Sequence, residues 1–187
     1  FMTPMLLLIF AMVAIAGVGQ NSFEQCFNYY LRDQFQLTSG YNGVIKAAVG
    51  MVTFLFNTTL CVWIIKKTDR PLSLTVLVAV CALSAVCTLL IPDLWLFIIC
   101  CVLVYAGYSV SIPVLQSMVA DQADPAQKNL VMGFYNAAKS LGSVIGSLTV
   151  GFIYSLHAKL PFACVALIYG LCVLVAMGYW LFGKRRK

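Results

Sequence analysis

Gly19-Gln20-Asn21-Ser22-Phe23-Glu24-Gln25-Cys26-Phe27-Asn28-Tyr29-Tyr30-Leu31-Arg32 closes a helix whose first half, Met2 to Val18, is almost entirely apolar. At about 100° per residue, Gln20, Glu24, Asn28, Asn21, Arg32 and Gln25 share one arc of roughly 140°, while Tyr29, Ser22, Cys26, Tyr30, Phe23 and Phe27 fill the other side. One face is polar and the other is not. The apolar lead and the polar turns together are long enough to cross a bilayer. The polar face is therefore expected at membrane depth or just above it, where such a stripe implies a cavity.

The rest of the chain has the same character. Hydrophobic residues make up 62% and charged residues 10%, against about 25% charged in soluble domains, and several apolar runs approach the spanning length of roughly 20 residues. The class is an all-α polytopic membrane protein. Cys26, Cys61, Cys81, Cys87, Cys100, Cys101, Cys164 and Cys172 all lie in apolar runs without metal or redox spacing, and read as small packing residues. The first run is too long, and lacks the basic leader, for a cleavable signal peptide. A chain opening on Phe1 is expected to be a fragment.

The expected spans are about 2–31, 39–65, 71–91, 93–118, 126–155 and 160–182. Thr38 or Ser39 is expected to cap the second, and Pro71 to open the third. Asp124-Pro125-Ala126-Gln127 is a helix start: Asp124 can accept orphan amides, Pro125 suits the first position and Gln127 sits where a capping-box partner would. The segments 66–70 and 119–125 read as cytosolic loops.

Lys and Arg orient the bundle. If the first helix runs outward, the inner side holds Lys66, Lys67, Arg70, Lys128, Lys184, Arg185, Arg186 and Lys187, the outer side only Arg32 and Lys159, and Lys46 and Lys139 lie within spans. The C-terminus is then cytoplasmic, with the closing basic run as a topology anchor. The net charge of +6 reflects a rim facing anionic lipid; nucleic-acid binding is not expected.

Polar residues recur on some spans and are scarce on others. Asn42, Lys46, Gly50, Thr53 and Asn57 form one stripe on the second; Tyr105, Ser109 and Gln116 mark the fourth; Asn136, Ser140, Ser143 and Ser147 mark the fifth, with Lys139 about 60° off that line. The third and sixth carry almost nothing polar. Two cavity helices followed by one outer helix, twice over, is the order produced by two inverted three-helix repeats.

On these residues the chain resembles the C-terminal six-helix half of a major facilitator superfamily transporter, over essentially its whole length, 1–187. Lys66-Lys67-Thr68-Asp69-Arg70-Pro71 is similar to the family's Asp-Arg loop signature, although Ile65 stands where a glycine is expected and no Gly-Arg-Arg follows Arg70. Val119-Ala120-Asp121 to Asp124-Pro125 is the second point of likeness. The third, Met132-Gly133-Phe134-Tyr135-Asn136 leading to Leu141-Gly142-Ser143-Val144-Ile145-Gly146, resembles drug- and sugar-efflux members. The resemblance implies a secondary active transporter, alternating access and a second six-helix half, either upstream or a second copy. It implies a cytoplasmic gate at Asp69 and Arg70.

Ionisable groups inside a bilayer are costly and mark function by default. Glu24 lies eight residues before Arg32, and Lys46 eight residues after Thr38, so the two are expected to face each other in the outer half of the cavity. Such a pair is either a neutralised structural bridge or a proton-exchanging site at Glu24. Lys139, near the midplane, needs a carboxylate, a polar substrate or cavity water. Gln20, Asn21, Gln25, Asn28, Asn57, Gln116 and Asn136 offer hydrogen bonds to a small polar or amphiphilic molecule. Phe23, Phe27, Tyr29, Tyr30, Tyr105 and Tyr135 either pack or supply aromatic surface beside it.

Gly142 and Gly146 permit close helix approach, and Gly107 with Pro113 marks a bend. His157 is remote from Asp121 and Asp124, and no nucleophile elbow, metal cluster or phosphate loop is present, so no enzyme, cofactor or metal is expected. The functional expectation is a plasma-membrane (inner-membrane) secondary transporter of a small organic solute, proton-coupled and exporting. A half-size assembly protein without transport of its own, or an uptake system for a sugar or organic anion, stands as the alternative.

Overall fold

A computed structural model describes residues 3–184 of the chain. Phe1, Met2 and the Arg185-Arg186-Lys187 end of the expected basic anchor lie outside the described residues. Six helices carry the fold: α1 (Pro4–Asp33), α2 (Ser39–Lys67), α3 (Arg70–Leu90), α4 (Leu94–Gln122), α5 (Lys128–Leu156) and α6 (Leu160–Lys184). Each is long and apolar enough to span a membrane. The described residues contain no strand. Lys66, Lys67, Arg70 and Lys128 gather at one end, called here the basic end; Asp33, Asp93 and His157 lie at the far end.

Local chemistry sets the helix boundaries. Thr3 caps α1, its hydroxyl accepting from the Leu6 amide at 3.3 Å, with Pro4 in the first turn. Asp93 caps α4 by accepting from the Trp95 and Leu96 amides at 3.0 and 3.1 Å. Asp124 accepts from Ala126 at 3.1 Å, as its spacing suggests, but Pro125–Gln127 forms a 3₁₀ turn before α5 begins. Two expectations are corrected. Thr38 occupies the N-cap position of α2 without a side-chain cap bond. The segments 66–70 and 119–125 are largely helical, because α2 runs through Lys67, α3 starts at Arg70 and α4 continues to Gln122.

Helix packing follows the pseudo-twofold of two inverted three-helix repeats. Exchanging α1 with α4, α2 with α5 and α3 with α6 maps every packed pair onto another packed pair: α1–α5 onto α4–α2, α3–α4 onto α6–α1, and α3–α6 and α1–α4 onto themselves. The repeated order of two polar spans and one apolar span therefore has a spatial counterpart. α1 and α4 lie centrally, and α2 and α5 flank them without touching each other. The most apolar stretch of α1 is 56% buried, that of α2 and of α5 only 17%.

The two flanking seams are built differently. Between α1 and α5 the backbones nearly touch: a methyl placed on Gly17 would meet the Lys139 carbonyl at 2.8 Å, one on Gly146 the Val18 carbonyl at 2.5 Å, and one on Gly142 would collide with the Ala14 backbone. These glycines form a small-residue seam of the kind that joins helices in lipid. The α2–α4 seam has no such zipper. Its Gly50 faces open space, and α2 carries a π turn at Asn57–Cys61. A cluster of Phe27, Tyr30, Phe35, Phe97 and Phe162 closes the far end of the core with ring separations of 5.0 to 6.2 Å. All eight cysteines are free thiols, and five of them are buried.

Candidate functional site

Glu24 and Lys46 meet across α1 and α2, with Nζ 3.2 Å from Oε1. Both side chains remain partly accessible, 46% for Glu24 and 38% for Lys46. The pair thus lies on an open face of the bundle, at a depth where most neighbours are apolar. One turn toward the far end, Asn42 donates to Asn28 Oδ1 at 3.4 Å, and Asn42 Oδ1 is buried without a hydrogen bond. The polar arc of α1 and the polar stripe of α2 are two sides of one seam.

Tyr105 of α4 backs this seam. Its ring packs edge-on against Phe23 and Phe27 at 5.5 and 5.8 Å. Its hydroxyl is buried without a hydrogen-bond partner. Toward the basic end, Asn57 donates its side-chain amide to the Ser109 carbonyl at 3.3 Å, and a polar recess opens between α2 and α4 beside it. Asn21 accepts from Ser147 of α5 at 3.4 Å. Gln20 accepts from the buried Tyr169 of α6 at 3.2 Å, which ties it to an outer helix. Gln25 and Gln116 are partly exposed and Asn136 is exposed.

Lys139 is partly buried on α5, and the structure gives it no ion pair among the described residues. Its backbone is held against α1 at Gly17. Among the aromatic residues of α1, only Tyr29 departs from the helical-wheel expectation. Phe23, Phe27, Tyr30 and Tyr135 are core residues, because their rings fill the space between α1, α4, α5 and α6. Tyr29, expected on the apolar side, is 40% exposed and packs against Tyr154 at 5.3 Å.

The basic end holds a second polar cluster. Arg70 is ion-paired with Asp121, donates to the Ser117 hydroxyl at 2.9 Å and to the Ile65 carbonyl at 3.3 Å, and so bridges α2, α3 and α4. Asp69 stands at the N-cap of α3, but its carboxylate accepts from the Trp180 indole of α6 at 3.2 Å in place of a helix amide. Gln122 of α4 donates to Tyr179 of the same helix α6 at 3.1 Å. Asp69 and Arg70 therefore have separate partners, and together they clasp α3 to α4 and α6.

Six spanning helices in an inverted repeat, polar residues concentrated on one side, and an Asp-Arg pair at the α2–α3 turn are matched by comparison of the sequence itself: residues 9–187 fit the profile of the Major Facilitator Superfamily. The chain belongs to the Major Facilitator Superfamily. It is an integral membrane protein with the fold of one six-helix half of that superfamily, whose members are membrane transporters that bind small molecules and are in general not enzymes. No curated protein matches the chain. Among the described residues no group of His, Cys, Asp and Glu is placed to hold a metal ion.

Sequence reasoning missed three features of this superfamily half. The unpartnered Tyr105 hydroxyl depends on which neighbours surround it, and no spacing encodes that. The Asp69–Trp180 contact joins residues 111 apart in sequence. The Asn57–Ser109 bond did leave a signal: Pro113, four residues after Ser109, removes the amide that would otherwise bond to that carbonyl.

Proposed function

We propose that the chain is half of the translocation pathway of a secondary active transporter that moves a small organic solute by alternating access. A second six-helix half, upstream in the same protein or a second copy, closes the other side. α2 and α5, the least buried helices, flank the face that the second half covers. The distribution of Lys and Arg supports a cytoplasmic basic end and, with it, a cytoplasmic C-terminus; the membrane of this reading is the plasma (inner) membrane. Arg70 and Asp69 form the cytoplasmic gate, their clasp on α4 and α6 released when the two halves rock.

The observation that carries this reading is the Glu24–Lys46 pair. An ion pair on a half-open face at membrane depth adds little stability, so function is the better reason for a carboxylate to sit there. Glu24 exchanges a proton with the cavity, and Lys46, 3.2 Å away, holds its charge when the proton leaves. Proton coupling follows, and export is the direction that the Met132 to Gly146 likeness favours. Lys139, Asn136 and Gln116 with Gln20, Asn21, Gln25 and Asn28 supply the solute's polar contacts, and Lys139 takes an electron-rich group of the solute or a carboxylate of the second half. In proteoliposomes, Glu24→Gln is expected to abolish proton-driven accumulation while solute exchange persists. Intact accumulation in that variant would remove the coupling role.

A further inference from the structure

The recess between α2 and α4 lies outside the Glu24–Lys46 centre. It is a shallow recess of about 310 Å³, open on the face of the bundle, and is lined by Gly50, Thr53, Phe54, Asn57, Thr58 and Ser109. None of these residues is charged. Each of its hydroxyls donates its proton to its own helix: Thr53 to the Gly50 carbonyl at 2.9 Å, Thr58 to the carbonyl one turn back at 3.1 Å, and Ser109 to the Ala106 carbonyl at 3.0 Å. A hydroxyl has one proton and two acceptor lone pairs, so these three present acceptors to the recess.

Asn57 adds a fourth. Because a carbonyl only accepts, the bond to Ser109 must come from Asn57 Nδ2, which fixes the orientation of the amide. Asn57 Oδ1 has no partner among the described residues. Four acceptor oxygens stand against one spare donor, the second hydrogen of that amide. Gly50, with open space where a side chain would stand, leaves the recess unblocked. Acceptors at membrane depth favour an occupant that brings donors.

We propose that this recess is a solute subsite selective for a group rich in N–H donors and free of negative charge, a primary amine or ammonium. A carboxylate or phosphate would set lone pairs against lone pairs. The inference rests on the transporter reading, since it names the chemical class of solute for that pathway. Phe54 provides the alternative attraction, a ring face for a cation. A quaternary ammonium separates the two, because it keeps the charge and lacks the N–H.

The test is equilibrium binding of 2-phenylethylamine, its N,N,N-trimethyl derivative and phenylacetate to the full-length protein in lipid nanodiscs. The primary amine is expected to bind about tenfold or more tightly than either analogue. Thr53→Val and Ser109→Ala are each expected to weaken amine binding about three- to tenfold with the melting midpoint unchanged, because both hydroxyls bond only within their own helices. Phenylacetate or the trimethyl derivative binding as well as the amine would overturn the proposal. So would unchanged amine affinity in both variants, or no amine binding up to about 10 mM. Amine binding without counterflow into vesicles would keep the subsite and reject transport, and counterflow of another solute without amine binding would do the reverse.

Discussion

The side-chain amide of Asn57 reaches the Ser109 carbonyl at 3.3 Å because Pro113 has left that carbonyl without its helical partner. A proline-broken bond in α4 is thus repaired from α2, across the seam that lacks a glycine zipper. Ser111 donates its hydroxyl to the Gly107 carbonyl at 2.7 Å, an ordinary bond back to its own helix. α2 is anchored near its π turn by a bond to a carbonyl that the proline of the neighbouring helix leaves free.

Restoring the amide with Pro113→Ala should therefore change what Asn57 is worth. Asn57→Leu is expected to cost about 1 kcal/mol in the native background. In the Pro113→Ala background it should cost less, with a coupling of about 0.5–1 kcal/mol. Thermal melts of the four proteins in detergent measure this directly. Strict additivity would mean that the two groups do not compete for one carbonyl.

How much of this was legible in the residues depended on range. The six helices were, since each carries a long, mainly apolar stretch with charges or prolines near its ends. The Glu24–Lys46 contact was legible too, because two helices joined by a short loop share a depth scale, and counting from Arg32 and Thr38 places both residues at one level. A helical wheel ranks directions without naming neighbours. It put Gln20 on the polar arc but could not show Tyr169 of α6 reaching it. Tyr29 was misplaced for the same reason: the apolar arc of an isolated helix includes positions that no neighbour covers. The helical extent of 119–122 was hidden by Asp121, whose charge reads as loop until Arg70 of the adjoining helix is known to neutralise it.

The glycine seam between α1 and α5 makes a sharp steric prediction. Gly142→Ala places a methyl into the Ala14 backbone, and Gly146→Ala places one at 2.5 Å from the Val18 carbonyl. Because backbone cannot swing aside as a side chain can, losses near the upper end of the usual overpacking range are expected, about 2–3 kcal/mol. Gly133→Ala and Gly151→Ala meet nothing within 4 Å and should be neutral or slightly stabilising. Melting midpoints of the four variants in detergent give the comparison. Equal loss at all four positions would show that helix flexibility, and not contact, explains the glycines.

At the basic end, the partners of Asp69 and Arg70 predict different sensitivities. Asp69→Asn keeps an acceptor oxygen for the Trp180 indole at 3.2 Å, whereas Asp69→Ala removes it. The first should be nearly silent in stability, and the second should cost roughly 1 kcal/mol. Asp121→Asn leaves Arg70 its neutral contacts with Ser117 and the Ile65 carbonyl, so its effect should fall on the opening of the gate more than on folding. Labelling of a cysteine introduced at Gln116 from the basic side, with and without Asp121→Asn, reads that opening. An unchanged labelling rate would confine Arg70 to a structural clasp.

The Glu24–Lys46 pair separates stability from coupling. Both groups are partly accessible, so the bridge contributes only about 0.5–1 kcal/mol. Lys46→Gln, which leaves Glu24 facing the cavity without its cation, should lower the melting midpoint by that modest amount. Adding Glu24→Gln removes the orphaned charge and leaves two neutral amides in place of the ion pair. Stability should then return toward the native value. Proton-driven accumulation should not return, because neither amide can carry a proton. Melting curves and vesicle accumulation on the same three preparations make the comparison. A double variant that recovers both properties would show the pair to be a structural bridge, and the coupling carboxylate would then have to be sought in the second half.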